Sequence, residues 1–526
     1  MEGKGVAESH LLYTLGRDYG DHVFKFLASR DAGRLERAFT RELVFVPAGG
    51  GAALLRSVAG RRHVEAAKAG ATLVPLGERR GGRIAWATEL LWVCVAMGRA
   101  RVGAAKQLIS AGESHSLVTS GKEGQTWSFG DNSYGKLGHG SEATEANEVV
   151  PRLIEALSRA VVRQVAAGAD HSMVLTRDGK VWTWGSGRSG RLGHGNTESQ
   201  RLPKLVEGVA PGGSGGQTLG GAPLGHHWAR VISISAGYDH SLAVREQGTV
   251  YAWGSSEYGQ LGRGGHGAGT RRLVPTEVPA SGMVVAVTTG CYHSLALNRD
   301  GTVMACGYNT SGQLGLGDTA RHDTFTAIPG LRGVVDIGAG HEHSIAVTME
   351  GEVFTCGKGQ AIGHARPRRR LGRDDDGGGD ETTQKLVPTK VIGGGIEEAT
   401  IVQVISGVQH SMALTATGDL YAWGEGGSGQ LGRGWRTVGG SHGWRRNLAV
   451  PKVVNGIKGG VVGMAAGKAH SLVTTEEGRV LAFGSGGGDL GLGAVPPPFN
   501  TLLVNLPTAI GGITMGEEED GKEGKE

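Results

Sequence analysis

Seven histidines, each followed by serine, are the residues whose type and repetition most invite chemistry. They are His115, His171, His240, His293, His343, His410 and His470. Imidazole can hold a metal or move a proton, so the row invites a metal-site or catalytic reading. The spacing argues against both. Successive histidines are 56, 69, 53, 50, 67 and 60 residues apart. A metal needs three or four ligands about one point, whereas one histidine in each of seven units is spread around the units. A histidine at a strand start beside serine is expected instead to hydrogen-bond nearby backbone, as buried polar groups must.

The units that position these histidines form a repeat. Gly-x-x-His-Ser starts at Gly112, Gly168, Gly237, Gly290, Gly340, Gly407 and Gly467. A second glycine follows the histidine, preceded by Trp184, Trp253 or Trp423, by Phe129 or Phe483, or by Cys306 or Cys356. A Leu-Gly pair comes next, at Leu137, Leu192, Leu261, Leu314, Leu431 and Leu490; in the fifth copy the best match is Leu371, beyond an insertion. Each unit carries three strand signals, such as Val231–Ser235, His240–Val244 and Thr249–Trp253. Acidic-Gly pairs such as Asp178-Gly179 and Asp300-Gly301 suit the hairpin turn between the second and third. A small antiparallel sheet cannot bury both faces alone, but seven packed radially can. The tryptophans are therefore expected between neighbouring sheets.

Gly-x-x-His-Ser, Trp-Gly and Gly-Gln-Leu-Gly-x-Gly (complete at Gly259–Gly264, Gly312–Gly317 and Gly429–Gly434) resemble the repeat of the regulator of chromosome condensation family. The resemblance covers residues 106–495, with a partial repeat to 515, and implies an all-β, seven-bladed β-propeller over residues 101–515 with a small N-terminal helical region. Leu502–Gly516 resembles the start of an eighth repeat and is expected to add a strand to the first blade. Ala105–Gly112 also reads as a first strand for that blade, so the sequence leaves the place open between them. The class includes a tryptophan-based ultraviolet-B photoreceptor with Trp just before the repeat histidine. Here those slots hold Glu-Ser, Ala-Asp, Tyr-Asp, Cys-Tyr, His-Glu, Val-Gln and Lys-Ala, which disfavours that activity.

In a propeller, specificity belongs to loops. Three insertions break the period: 206–229, glycine-rich; 359–383, with the basic block Arg366, Arg368, Arg369 and Arg370 followed by an acidic one; and 434–450, with Trp435, Arg436, Trp444, Arg445 and Arg446. Exposed Trp and Arg are typical of interface hot spots, which makes the third insertion the preferred partner-binding loop.

Residues 1–100 have a different composition, with 15 Lys or Arg against 10 Asp or Glu. Helical spacing at Val23, Leu27, Leu35 and Phe39, and at Ala87, Leu91 and Val95, suggests a helical region. Residues 21–43 weakly resemble an F-box, which would dock a ubiquitin-ligase adaptor. Residues 516–526 form an acidic tail expected to be disordered. The net charge of +4 does not indicate nucleic acid or chromatin. Cys94, Cys291, Cys306 and Cys356 form no C-x-x-C pair, which suits buried thiols and an intracellular setting. Ile84–Met97, the most apolar stretch, contains Glu89 and is too short to span a bilayer.

No Walker A, G-x-S-x-G nucleophile elbow or H-E-x-x-H motif is present, so neither cofactor nor covalent chemistry is expected. The expected function is a protein-interaction scaffold. The resemblance implies one alternative, a nucleotide exchange factor for a small Ran-like GTPase. The F-box-like stretch suggests another, a ubiquitin-ligase substrate receptor.

Overall fold

The computed structural model describes residues 45–47, 71–73, 108–120, 124–140, 147–207, 230–267, 269–364, 383–433, 447–486, 488–493 and 502–514. The chain divides into two units, Met1–Arg101 and Val102–Glu526. In the first, the described residues are two short antiparallel strands, Phe45–Pro47 and Ala71–Leu73. The helical and F-box-like segments expected there lie outside the described residues, as does Cys94.

The second unit is a seven-bladed β-propeller of seven four-stranded antiparallel sheets. Blade 3 shows the pattern: Val231–Ala236 innermost, then His240–Arg245, Val250–Ser255 and Arg271–Val278 at the rim. The second strand of a blade has lost the usual alternation, and in blades 2, 4, 5, 6 and 7 all six of its residues are buried. A sheet wedged between two others buries both faces, so hydrophobic residues occupy consecutive positions. Apolar clusters accordingly straddle blade boundaries: Leu117, Ile154 and Leu157 of blade 1 pack with Val165, Val174 and Trp184 of blade 2.

The fourth strand is one more than the sequence signals suggested. In blade 2 it is Gln200–Leu205, mostly exposed, with Pro203 its buried member. Pro151, Pro203, Pro275, Pro388, Pro451 and Pro507 lie in the outermost strands of six blades, and blade 4 has Phe325 in that strand. Proline suits an edge strand because it has no N–H to offer a further strand.

Three expectations are corrected. Leu502–Thr514 is the outermost strand of blade 7, paired with Arg479–Gly486, and not a strand of blade 1. The innermost strand of blade 1 is Ile109–Ala111. The ring thus closes with every blade built from contiguous sequence. In blade 5 the Leu-Gly position is held by Ile362-Gly363, not Leu371, which lies outside the described residues. The carbonyl before Ile362 accepts from the Trp423 indole, as the carbonyl before Leu137 does from Trp184. Finally, the third insertion is shorter than expected, because Leu448–Val453 is the rim strand of blade 6.

Candidate functional site

The repeated histidines form a closed girdle. Each Nε2 meets the motif serine of the next blade at 2.8–3.0 Å: His115 with Ser172, His171 with Ser241, and onward to His470 with Ser116. The partner is thus a hydroxyl across the blade interface, not the nearby backbone expected from sequence. Each serine in turn donates its single proton, over 2.7–2.9 Å, to the carbonyl of the residue before Leu-Gly (or Ile-Gly) in the preceding blade. The serine must therefore accept from histidine, so each Nε2 carries a hydrogen. The same carbonyl accepts the indole N–H in blades 2, 3 and 6, at 2.7–2.8 Å.

Burial holds these imidazoles in the neutral form. It pushes His240, His293, His343 and His410 down to about 3 and His470 to about 4, and lowers His115 and His171 well below the ordinary value. The motif glycine is part of the same device. A Cβ on Gly168 would lie 2.6 Å from the Gly237 carbonyl oxygen and 2.6 Å from the His171 ring. Close approach lets Ala169 N–H donate to that carbonyl across the interface. The buried thiols are equally inert. Burial raises Cys306 well above its usual value and Cys356 to about 12, and half-buried Cys291 is also raised to about 12.

Chemically varied groups gather instead at one mouth of the ring. A cavity of about 360 Å³ on the ring axis is lined by all seven blades. The residue after each motif glycine reaches it, and no two are alike: Glu113, Tyr238, Cys291, His341 and Lys468, with Ala169 and Val408 in the remaining blades. Lys468 pairs with Glu113 at 2.5 Å across the closing interface.

Beside the cavity lie two patches. Over blades 1–3, Lys136 bridges Asp131 (2.6 Å) and Asp170 (3.1 Å), and Arg191 bridges Asp170 (3.7 Å) and Asp239. Burial opposes the Asp131 carboxylate, but hydrogen bonds from Lys136 and Ser133 outweigh it and hold the carboxyl below its usual range. Next to this patch, burial and the Asp131 charge raise Asp489 to about 7. Over blades 3–5, Tyr258 packs against Tyr292 (ring centroids 5.0 Å) and Tyr308 (5.2 Å), with Tyr238 and His341 5.6 and 5.9 Å from Tyr292.

The loop residues singled out from sequence (Trp435, Arg436, Trp444, Arg445, Arg446 and the arginines of 366–370) lie outside the described residues. The tyrosines went unremarked, although Tyr238 and Tyr292 stand in the slots inspected for tryptophan. Aromatic identity in those slots was the available signal. Among the described residues, no group of three or more His, Cys, Asp or Glu could hold a metal, and no helix is long and apolar enough to cross a membrane.

The family model described as the RCC1-like domain matches residues 101–434 and 225–518. The ultraviolet-B receptor UVR8 of Arabidopsis thaliana is 31% identical over 390 residues, 73% of this chain and 66% of that protein. The human E3 ubiquitin-protein ligase HERC2 is 33% identical over 372 residues, 70% of this chain but 6% of the ligase. The chain thus spans less than two thirds of either relative. Among solved structures, Prp20p from Saccharomyces cerevisiae superposes with a TM-score of 0.58 at 22% identity, covering 78% of this chain and 89% of that one. Human WBSCR16 gives 0.56 at 22% identity, covering 73% and 94%.

Proposed function

The chain belongs to the RCC1-like domain family, and from that premise we propose that its propeller is a regulatory protein-interaction scaffold working through the mouth of the ring. One observation carries this reading. The girdle consumes the repeated polar groups in interfaces between blades, while the mouth presents different side chains from blade to blade over a rigid frame. Variation on a fixed scaffold is how loop ends acquire specificity. The segments with Arg366–Arg370 and with Trp435, Arg436, Trp444, Arg445 and Arg446 join third to fourth strands, leaving and rejoining their blades at this same end. They are proposed as extensions of the surface. The test is affinity purification with the intact chain, a mouth variant (Tyr292→Ala with Tyr308→Ala), a chain lacking 434–446, and an opposite-end variant (Asp178→Asn). A specific partner should be lost from the mouth variant and kept by Asp178→Asn. The reverse pattern sinks the proposal.

Exchange-factor activity is a second reading, favoured by the likeness to Prp20p, a protein studied for its binding to Gsp1p and histones. It requires no covalent chemistry, only tighter binding of the nucleotide-free GTPase. Release of a fluorescent guanine nucleotide from a Ran-type GTPase should accelerate, and an unchanged rate removes this reading. A ligase-receptor role through residues 21–43 would show as an adaptor that co-purifies and is lost when residues 1–50 are deleted.

A further inference from the structure

Two observations meet at the mouth. The first is the arrangement of charge over blades 1–3. Asp131, Asp170 and Asp239 share two cations, Lys136 and Arg191. The Lys136 and Arg191 side chains are 1% and 2% exposed, whereas the three carboxylates are 27%, 32% and 23% exposed. The cations lie underneath and the carboxylates face solvent. A molecule approaching this patch meets oxygen rather than nitrogen, and the carboxylates outnumber their cations. The surface is locally acidic on a chain whose net charge is +4.

The second observation is the tyrosine cluster, which begins at the residue beside Asp239. Tyr238, Tyr258, Tyr292 and Tyr308 are each partly exposed, and their hydroxyls make no hydrogen bond among the described residues. Glu113, then burial, Asp170 and Asp239 disfavour the Tyr238 phenolate, so the carboxylate field extends over these rings. A ring face in a negative field attracts cations, guanidinium above all. The molecule uses the same pairing elsewhere, with Arg245 4.5 Å above the Tyr251 ring.

We propose that the mouth over blades 1–5 binds a basic peptide segment of a protein partner, its Lys or Arg side chains pairing with Asp170 and Asp239 and lying on the tyrosine faces. This rests on the mouth being the working surface and adds the chemistry of what it recognises. Opposite charge steers encounter and fixes register, and Tyr with Arg is a common hot-spot pairing.

The probe is a short fluorescein-labelled peptide of alternating Arg and Ser, titrated into the full chain and read by anisotropy. A Glu-Ser peptide serves as control. Asp170→Asn, and Tyr258→Ala with Tyr308→Ala, should each weaken binding at least about tenfold, a loss of roughly 1.4 kcal/mol. The Phe versions of the two tyrosine changes should retain most of it. Asp178→Asn, at the opposite end, should bind as wild type, and melting curves verify that each variant is folded. No binding of the Arg-Ser peptide, or weakening by Asp178→Asn equal to that by Asp170→Asn, overturns the proposal. If mouth variants still abolish capture of a specific partner while the Arg-Ser peptide fails to bind, the interaction scaffold stands and the basic-segment chemistry falls.

Discussion

The girdle and the mouth are built from neighbouring residues of the same repeats, yet they obey opposite rules. In the girdle, the same atoms make the same bonds seven times, and each histidine has one partner across one interface. At the mouth, the position one residue past the motif glycine runs from Glu113 to Lys468. The residue before Leu-Gly joins both regions. It gives the girdle its backbone carbonyl, so its side chain is released to be Lys136, Arg191, Gln260, Gln313, Ala361, Gln430 or Asp489. Repetition here marks the frame, and departures from it mark the surface with something to recognise.

This division can be broken by measurement, and acid is the strongest agent. The girdle histidines are neutral when folded, with values of about 3 to 4 where they are fixed, against about 6.5 in the unfolded chain. Above pH 6.5 both states are neutral and nothing is lost. As the pH falls below that, the unfolded chain takes up protons that the folded ring refuses. Stability is therefore lost between about pH 6.5 and about pH 3, by up to ~1.4 kcal/mol per pH unit for each histidine. Asp489, raised to about 7, works in the opposite direction but is a single group. Calorimetry from neutral pH to about pH 5 should show a steep fall in melting temperature. A flat profile would mean that the histidines are not locked neutral.

Truncating one girdle aromatic comes next. Trp253→Ala should cost about 3–5 kcal/mol, seen as a lower midpoint in denaturant. Ser241→Ala should cost about 1–3 kcal/mol, because it strands the His171 N–H while leaving the Trp253 indole on the Arg191 carbonyl. At the mouth, Tyr308→Ala should cost under about 1.5 kcal/mol, the value of its ring contacts. Should Tyr308→Ala destabilise the chain as much as Trp253→Ala, frame and surface are not separable and the mouth is structural.

The frame was legible in sequence because it repeats. Gly-x-x-His-Ser and Trp-Gly reported the second and third strands, whose burial on both faces leaves unbroken apolar runs. The rim strand was missed because it is mostly exposed and carries proline; Gln200–Leu205 reads as a loop. The closing strand was misassigned for a related reason. Leu502–Thr514 has the apolar character of an inner strand, and strand order depends on contacts between distant segments rather than local pattern. Ile362 was overlooked because its glycine follows at a shorter spacing than in other copies. The mouth is not legible as a motif because its residues differ from blade to blade, and its one sequence signal is the aromatic identity of Tyr238 and Tyr292 inside the repeat.

The contiguous build of every blade has a topological consequence. No strand is lent across the closing interface, so the join between blades 7 and 1 is held by the His470–Ser116 bond, of the kind that joins every other pair of blades, and by the Lys468 N–H donating to the Gly112 carbonyl. The ring has no privileged starting point. Covalently linking residue 514 to residue 108 through a short tether and opening the chain between blades 2 and 3, where a long connection already runs, yields a circular permutant with an unchanged set of interfaces.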